Sequence, residues 1–178
     1  MDKKPGEAGS QAQVLRIGIF GGSFDPPHNG HVNLLTTATQ KIKTDKVLII
    51  PTGTPPHKEI SATPFAERFK MAQLAFPNYE VSDMEGRSQK VSYTIDTLSE
   101  LHKKYPGARF WLFIGSDMKN SFKSWKNYAK ILELCEIYTV NRDIIQISST
   151  NIRNNLIEYK HMIPAAVYDY IIQKGLYK

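Results

Sequence analysis

Short apolar runs alternate along this chain with longer stretches whose apolar residues recur at helical spacing, a pattern that predicts repeated strand–helix units. Leu15–Phe20 (LRIGIF) reads as a buried strand, and His31–Lys43 as a helix with Val32, Leu35, Ala38 and Ile42 on one face. Lys46–Pro51 (KVLIIP) is a second strand, and Thr63–Phe76 a helix with Thr63 as N-cap and Pro64 at the first helical position. Tyr79–Met84 reads as a weaker strand and Ser92–Tyr105 as a helix with Ile95, Leu98 and Leu101 inward. Arg109–Gly115 (RFWLFIG) is a central strand, Asp117–Leu134 is broadly helical, and Glu136–Val140 and Ile144–Ser148 are short strands. Helices over Thr150–Tyr159 and Ala165–Lys174 follow. Strand then helix, repeated, means parallel strands joined by crossovers. The near-continuous apolar strands indicate a sheet covered on both faces. The expected fold is α/β: a Rossmann-like, doubly wound, mainly parallel sheet with helices on both faces and C-terminal helices.

Composition narrows the class. The chain has 178 residues, 41% hydrophobic and 22% charged, which is the make-up of a globular domain rather than a disordered chain. Met1–Gln13 is polar and charge-balanced and reads as a disordered leader, leaving residues 14–178 as one domain. The longest apolar run is five residues, Phe110 to Ile114, far short of the ~20 a membrane-spanning helix needs. The lone Cys135, expected mid-strand as a packed small hydrophobe, fits a reducing compartment, so a cytoplasmic location is expected. The net charge of +6 favours anionic partners: nucleic acid, a membrane surface or small phosphorylated substrates. With no run of five like charges and no Arg-rich tract, neither nucleic acid nor membrane is expected as a partner. Oligomeric state leaves no signal in the sequence.

Doubly wound sheets bind ligands beyond the carboxyl ends of their strands, and the chemistry collects there. Gly21-Gly22-Ser23-Phe24-Asp25-Pro26-Pro27-His28-Asn29-Gly30-His31 follows the first strand, Thr52–Lys58 the second, and Ser116-Asp117 follow RFWLFIG. Three of the five histidines and five of the ten prolines lie within residues 25 to 57, so the clustering is not compositional. The glycines open the backbone to close ligand approach. His28 and His31 stand three apart across a helix start, facing one side, with Gly30 leaving room for a phosphate between them. Ordinary turn chemistry with capping explains part of the same pattern. A His-rich metal site fits less well, because no Cys or Glu stands at zinc spacing. The G-x-G-x-x-G and G-x-x-x-x-G-K-[ST] phosphate loops are both absent.

The run Gly22–His31 resembles the GSFDPxHxGH signature of bacterial nicotinate-mononucleotide adenylyltransferases, within the HxGH nucleotidyltransferase superfamily. Ile147–Arg153 (ISSTNIR) is similar to the superfamily's second signature, ISSTxIR. Pro51–Lys58 (PTGTPPHK), Ser92–Leu98 (SYTIDTL), Gly115-Ser116-Asp117 and Trp125 match the nicotinate-nucleotide branch, so the resemblance spans about Arg16 to Tyr177. It departs between Arg142 and Ile147, where only four residues intervene and family members usually have more.

The resemblance implies adenylyl transfer from ATP to nicotinate mononucleotide, giving deamido-NAD and pyrophosphate in NAD biosynthesis, with Mg2+ arriving on ATP. It implies catalytic roles for His28 and His31. It places ATP and its phosphates against Gly21, Gly22, Ser23, Phe24, His57, Lys58, Ser148, Ser149, Thr150 and Arg153. Asp117 would take nucleotide hydroxyls, and Tyr93, Thr94 and Trp125 the nicotinate. Plainer roles stand beside these: capping for Ser149, Thr150 and Asp117, core packing for Trp125, a solvated charge for Arg153. His102 and His161 read as surface. The alternative within the superfamily is a nicotinamide-mononucleotide or pantetheine-phosphate adenylyltransferase, against which SYTIDTL and Trp125 weigh. A catalytically silent nucleic-acid module would need a stripe of aromatics and cations that the sequence lacks.

Overall fold

The computed structural model describes residues 13–55, 63–88, 90–141 and 147–178. In chain order the elements are β1 (Arg16–Gly22), α1 (Asn29–Lys41), β2 (Lys46–Pro51), α2 (Phe65–Ala75), β3 (Glu80–Val81), α3 (Thr94–Lys104), β4 (Arg109–Gly115), α4 (Tyr128–Leu134), β5 (Glu136–Val140), α5 (Ser149–Asn154) and α6 (Ala165–Lys174). The strands form one sheet in the order β3-β2-β1-β4-β5, and every neighbouring pair is parallel. The chain moves outward from β1 through β2 to β3, then returns to the other side of β1 for β4 and β5. The order therefore reverses between β1 and β4, and a crevice opens at their carboxyl ends. The doubly wound α/β expectation is met.

The period of two along each strand builds two cores. On one face Phe20, Val47, Ile49 and Phe113 pack with Leu34, Leu35 and Ala38 of α1, Met71 and Ala72 of α2, Ile152 of α5 and Val167 and Ile171 of α6. On the other, Ile17, Ile19, Leu48, Ile50, Phe110, Leu112 and Ile114 pack with Ile95, Leu98 and Leu101 of α3 and Ile131 of α4. Among the described residues no helix is long and apolar enough to cross a membrane.

Several boundaries differ from the sequence reading for local reasons. α1 begins at Asn29 rather than His31, because His28 is extended (φ −142°, ψ 171°) and stands as the cap. α2 begins at Phe65, with Pro64 as the cap residue rather than the first helical one. β3 is two residues long, paired only with Leu48 and Ile49. α3 begins at Thr94 rather than Ser92, because the Ser92 N–H donates to the Thr54 carbonyl at 2.8 Å, holding that backbone to the loop after β2. The stretch expected to be helical over Asp117–Leu134 is two 3-10 turns, Ser116–Met118 and Phe122–Ser124, then α4; extended Trp125 and left-handed Asn127 (φ 54°) break it. The late helix stops at Asn154. Cys135 closes α4 rather than sitting mid-strand; it is buried, and burial pushes its thiol up to about 12. His102 is half-buried, not surface, with Nε2 2.9 Å from the Leu134 carbonyl and its ring on Phe110. Residues 1–12 of the expected leader and residues 144–146 of the expected strand lie outside the described residues, while Ile147 and Ser148 are not in a strand.

Gly18 of β1 is fixed by close approach: a Cβ there would meet the buried Phe113 ring at 2.6 Å. Gly18→Ala should cost about 1–3 kcal/mol through overpacking. A lowered urea midpoint checks this, and an unchanged midpoint would show that the Phe113 ring yields.

Candidate active site

The crevice at the β1/β4 reversal is a cleft of about 510 Å³ lined by residues from both ends of the chain. Ser23, Phe24, Asp25, His28 and His31 come from the loop after β1 and the start of α1, Asp117 from the turn after β4, and Ser148, Ser149, Thr150 and Arg153 from α5 and its cap. Imidazoles, hydroxyls and a guanidinium all donate hydrogen bonds, so their convergence suits an anionic, oxygen-rich ligand.

The backbone leaves β1 through Phe24, held left-handed at φ 49°, and a cis peptide joins Asp25 to Pro26. The Phe24 ring is buried and packs edge-on against Phe20 and Phe76, with its centroid 5.3 Å from that of His31. His28 and His31 stack at 3.7 Å between centroids, inclined by 29°. The His28 N–H donates to His31 Nδ1 at 3.2 Å, so a neutral His31 ring carries its proton on Nε2. Gly30 does not leave room for a phosphate. A Cβ there would stand 3.0 Å from the His28 ring and 3.2 Å from Ile147, so the space is taken by the stacked imidazole. Gly21 and Gly22 end β1 outside the lining residues, and the Gly22 carbonyl accepts from the Thr52 N–H at 2.9 Å.

α5 is pulled against this loop across more than 120 residues of sequence. Ser149 Oγ donates to the Pro26 carbonyl at 2.8 Å, and Arg153 Nη1 to the Asp25 carbonyl at 2.6 Å. Ser148 caps α5 by accepting the Asn151 N–H, and Thr150 Oγ1 accepts from Arg153 Nη2 at 3.2 Å. Capping thus falls to Ser148 rather than to Ser149 or Thr150.

Tyr93, Thr94 and Trp125 are not among the residues lining this cleft. They gather against the second core face, where Tyr93 precedes α3 and Trp125 packs edge-on against Phe122 at 4.9 Å. The Lys126 ammonium lies 4.0 Å over the Tyr93 ring. His57 and Lys58 lie outside the described residues.

Two site residues escaped the sequence reading. Arg68 of α2 is buried in the cleft wall and donates to four backbone carbonyls: Ser23 at 2.9 Å, Thr52 at 2.7 Å, Gly53 at 3.1 Å and Thr63 at 3.3 Å. Burial lowers its pKa, and the charge of Asp25 opposes that. Glu85 accepts from the Gly53 N–H at 3.2 Å and the Thr97 hydroxyl at 2.6 Å, joining the loop after β2 to α3; burial raises its pKa against those bonds. A single Arg in an amphipathic helix and a single Glu in a polar loop carry no local pattern that would have singled them out.

These features meet in proteins of known family. The cytidylyltransferase-like family profile matches residues 19–155. The chain belongs to that family. It is 36% identical to the probable nicotinate-nucleotide adenylyltransferase of Oceanobacillus iheyensis over 186 residues, covering 92% of this chain and 97% of the relative. That full-length match puts it in the nicotinate-nucleotide adenylyltransferase branch. With the corresponding Citrifermentans bemidjiense protein it shares 41% identity over 132 residues, a match that spans 72% of this chain and 61% of the relative's length. A candidate nicotinate-nucleotide adenylyltransferase of Vibrio parahaemolyticus has the same fold at a TM-score of 0.75 and 25% identity, over 92% of this chain and 96% of that one. The fold is also that of the Plasmodium falciparum nicotinic acid mononucleotide adenylyltransferase complexed with NaAD, at a TM-score of 0.75 and 21% identity over 92% and 97% of the two chains.

Arg68→Met should destabilise the protein by about 3–5 kcal/mol, because one buried and three partly buried carbonyls lose a charged donor at once. Denaturant unfolding of the two proteins measures this; a loss below 1 kcal/mol would show that water replaces the guanidinium.

Proposed function

We propose that this protein transfers the adenylyl group of ATP to nicotinate mononucleotide, releasing pyrophosphate and forming deamido-NAD. The supporting observation is the stacked His28–His31 pair in one cleft with Arg153, Thr150 and Asp117. A 5′-phosphate oxygen of the acceptor attacks the α-phosphorus as the bond to pyrophosphate breaks, so no protein nucleophile is required. The demand is in-line placement and neutralisation of charge on the α-phosphate and the leaving group.

In this reading His28 and His31 donate to the ATP phosphates, joined by Ser148, Ser149, Thr150 and Arg153. Ser23 and the buried Phe24 shape the floor, Gly21 and Gly22 lead the backbone into it from β1, and Asp117 accepts from nucleotide hydroxyls. His57 and Lys58 complete the phosphate grip. Tyr93 and Thr94, at the start of α3, offer backbone N–H groups to the nicotinate carboxylate, and Trp125 stacks on the ring. Among the described residues there is no group of three or more His, Cys, Asp or Glu that would cage a metal. In this reading a magnesium ion would arrive on the triphosphate, held by phosphate oxygens and waters, and would supply charge neutralisation there.

Pyrophosphate release with ATP and either the acid or the amide mononucleotide tests the acceptor. Backbone donors suit a carboxylate, which only accepts, so the acid should be favoured by about one to two decades in kcat/KM. Equal values would overturn the carboxylate site and favour a nicotinamide-type acceptor. His31→Ala should lower kcat by roughly 10²–10³-fold; a folded variant within twofold of the parent would remove His31 from the chemistry.

A further inference from the structure

The Asp25 carboxylate is buried, its side chain 6% exposed, and its two oxygens meet different partners. Oδ1 accepts from the Tyr177 hydroxyl at 2.6 Å, across 152 residues of sequence. Oδ2 stands 3.7 Å from Arg153 Nη1, beyond hydrogen-bond distance. Arg153 directs its donors instead to the Asp25 carbonyl and Thr150, and its side chain stays 34% exposed on the cleft. Tyr177 reaches this position because α6 ends at Gly175 (φ 63°), where the Leu176 N–H donates back to the Ile171 carbonyl at 3.1 Å, and Tyr177 itself is left-handed (φ 60°). α6 is tied to α2 by the Tyr170 hydroxyl, which donates to Glu67 at 2.6 Å. Burial and the facing carboxylate push the Tyr177 phenol above its ordinary range, so it remains a donor throughout the neutral range.

We infer that Tyr177 is a positioning residue for phosphate binding by Arg153, acting through Asp25. Its neutral hydroxyl donates to one carboxylate oxygen beside the Arg68 charge that also faces Asp25, so the Arg153 guanidinium stays 3.7 Å from the other oxygen, short of a direct hydrogen bond, and presented to the cleft. With that donor gone, a buried carboxylate at 3.7 Å pulls the guanidinium in, because charge-assisted pairs strengthen steeply away from water. This inference rests on the reading of Arg153 as a ligand of the ATP phosphates.

Tyr177→Phe keeps the ring and removes only the hydroxyl, and ATP with magnesium is the probe, titrated by calorimetry and varied in the turnover assay. The expected result is an ATP affinity and ATP KM weakened by about 5- to 10-fold, with kcat and the mononucleotide KM within twofold of the parent. In an Arg153→Ala background the same change should cost nothing further in ATP affinity. Unaltered ATP affinity in Tyr177→Phe, even with a lowered melting temperature, would reduce Tyr177 to a structural role. An equal additional loss in the Arg153→Ala background would also overturn the inference, because Tyr177 would not act through Arg153. A parent that binds ATP but does not use nicotinate mononucleotide defeats the proposed reaction alone; a parent that binds no ATP defeats both.

Discussion

One guanidinium holds the cleft in shape. The loops after β1 and β2 and the segment leading into α2 converge on the Arg68 side chain, which gathers a carbonyl from Ser23, Thr52, Gly53 and Thr63. Carbonyls at strand ends have no ladder partner, and leaving them buried and unbonded costs free energy comparable to a lost hydrogen bond. A planar fork of five donors serves all four, where the three protons of a lysine ammonium would fall short. The positive charge is then a by-product of scaffolding, yet it stands in the wall of a cleft that suits anions.

From that point bonds run in two directions. Gly53 passes its N–H to Glu85, and Glu85 takes the Thr97 hydroxyl, so the loop after β2 is bound to α3. On the other side Asp25 lies within the reach of the Arg68 charge and is bonded by Tyr177, while its carbonyl holds Arg153. The cleft and the start of α3 are thereby linked through polar contacts as well as through the sheet.

The sequence made the sheet legible and hid its clamps. β2, β4, β5 and α6 fall where their apolar patterns put them, because a strand buried on both faces must read as a continuous apolar run. The two signatures, Gly22–His31 and Ile147–Arg153, led to one cleft because the reversal of strand order brings their segments together. Arg68, Glu85 and Tyr177 were invisible for a common reason. Each takes its meaning from partners 5 to 152 residues away, and mostly from backbone atoms that every residue possesses. The misreading of Gly30 came from the same source: the room it makes is filled by a ring from its own loop, a contact that spacing does not reveal.

The bond from the His28 N–H to His31 Nδ1 also makes this pair the opening turn of α1. The side chain proposed to meet phosphate is therefore the one that satisfies an orphan donor at the helix start. Chemistry and helix initiation are written in the same two codons. A library selected first for soluble expression will discard variants here for reasons unrelated to turnover, and the surviving substitutions will understate how many residue types the reaction itself tolerates.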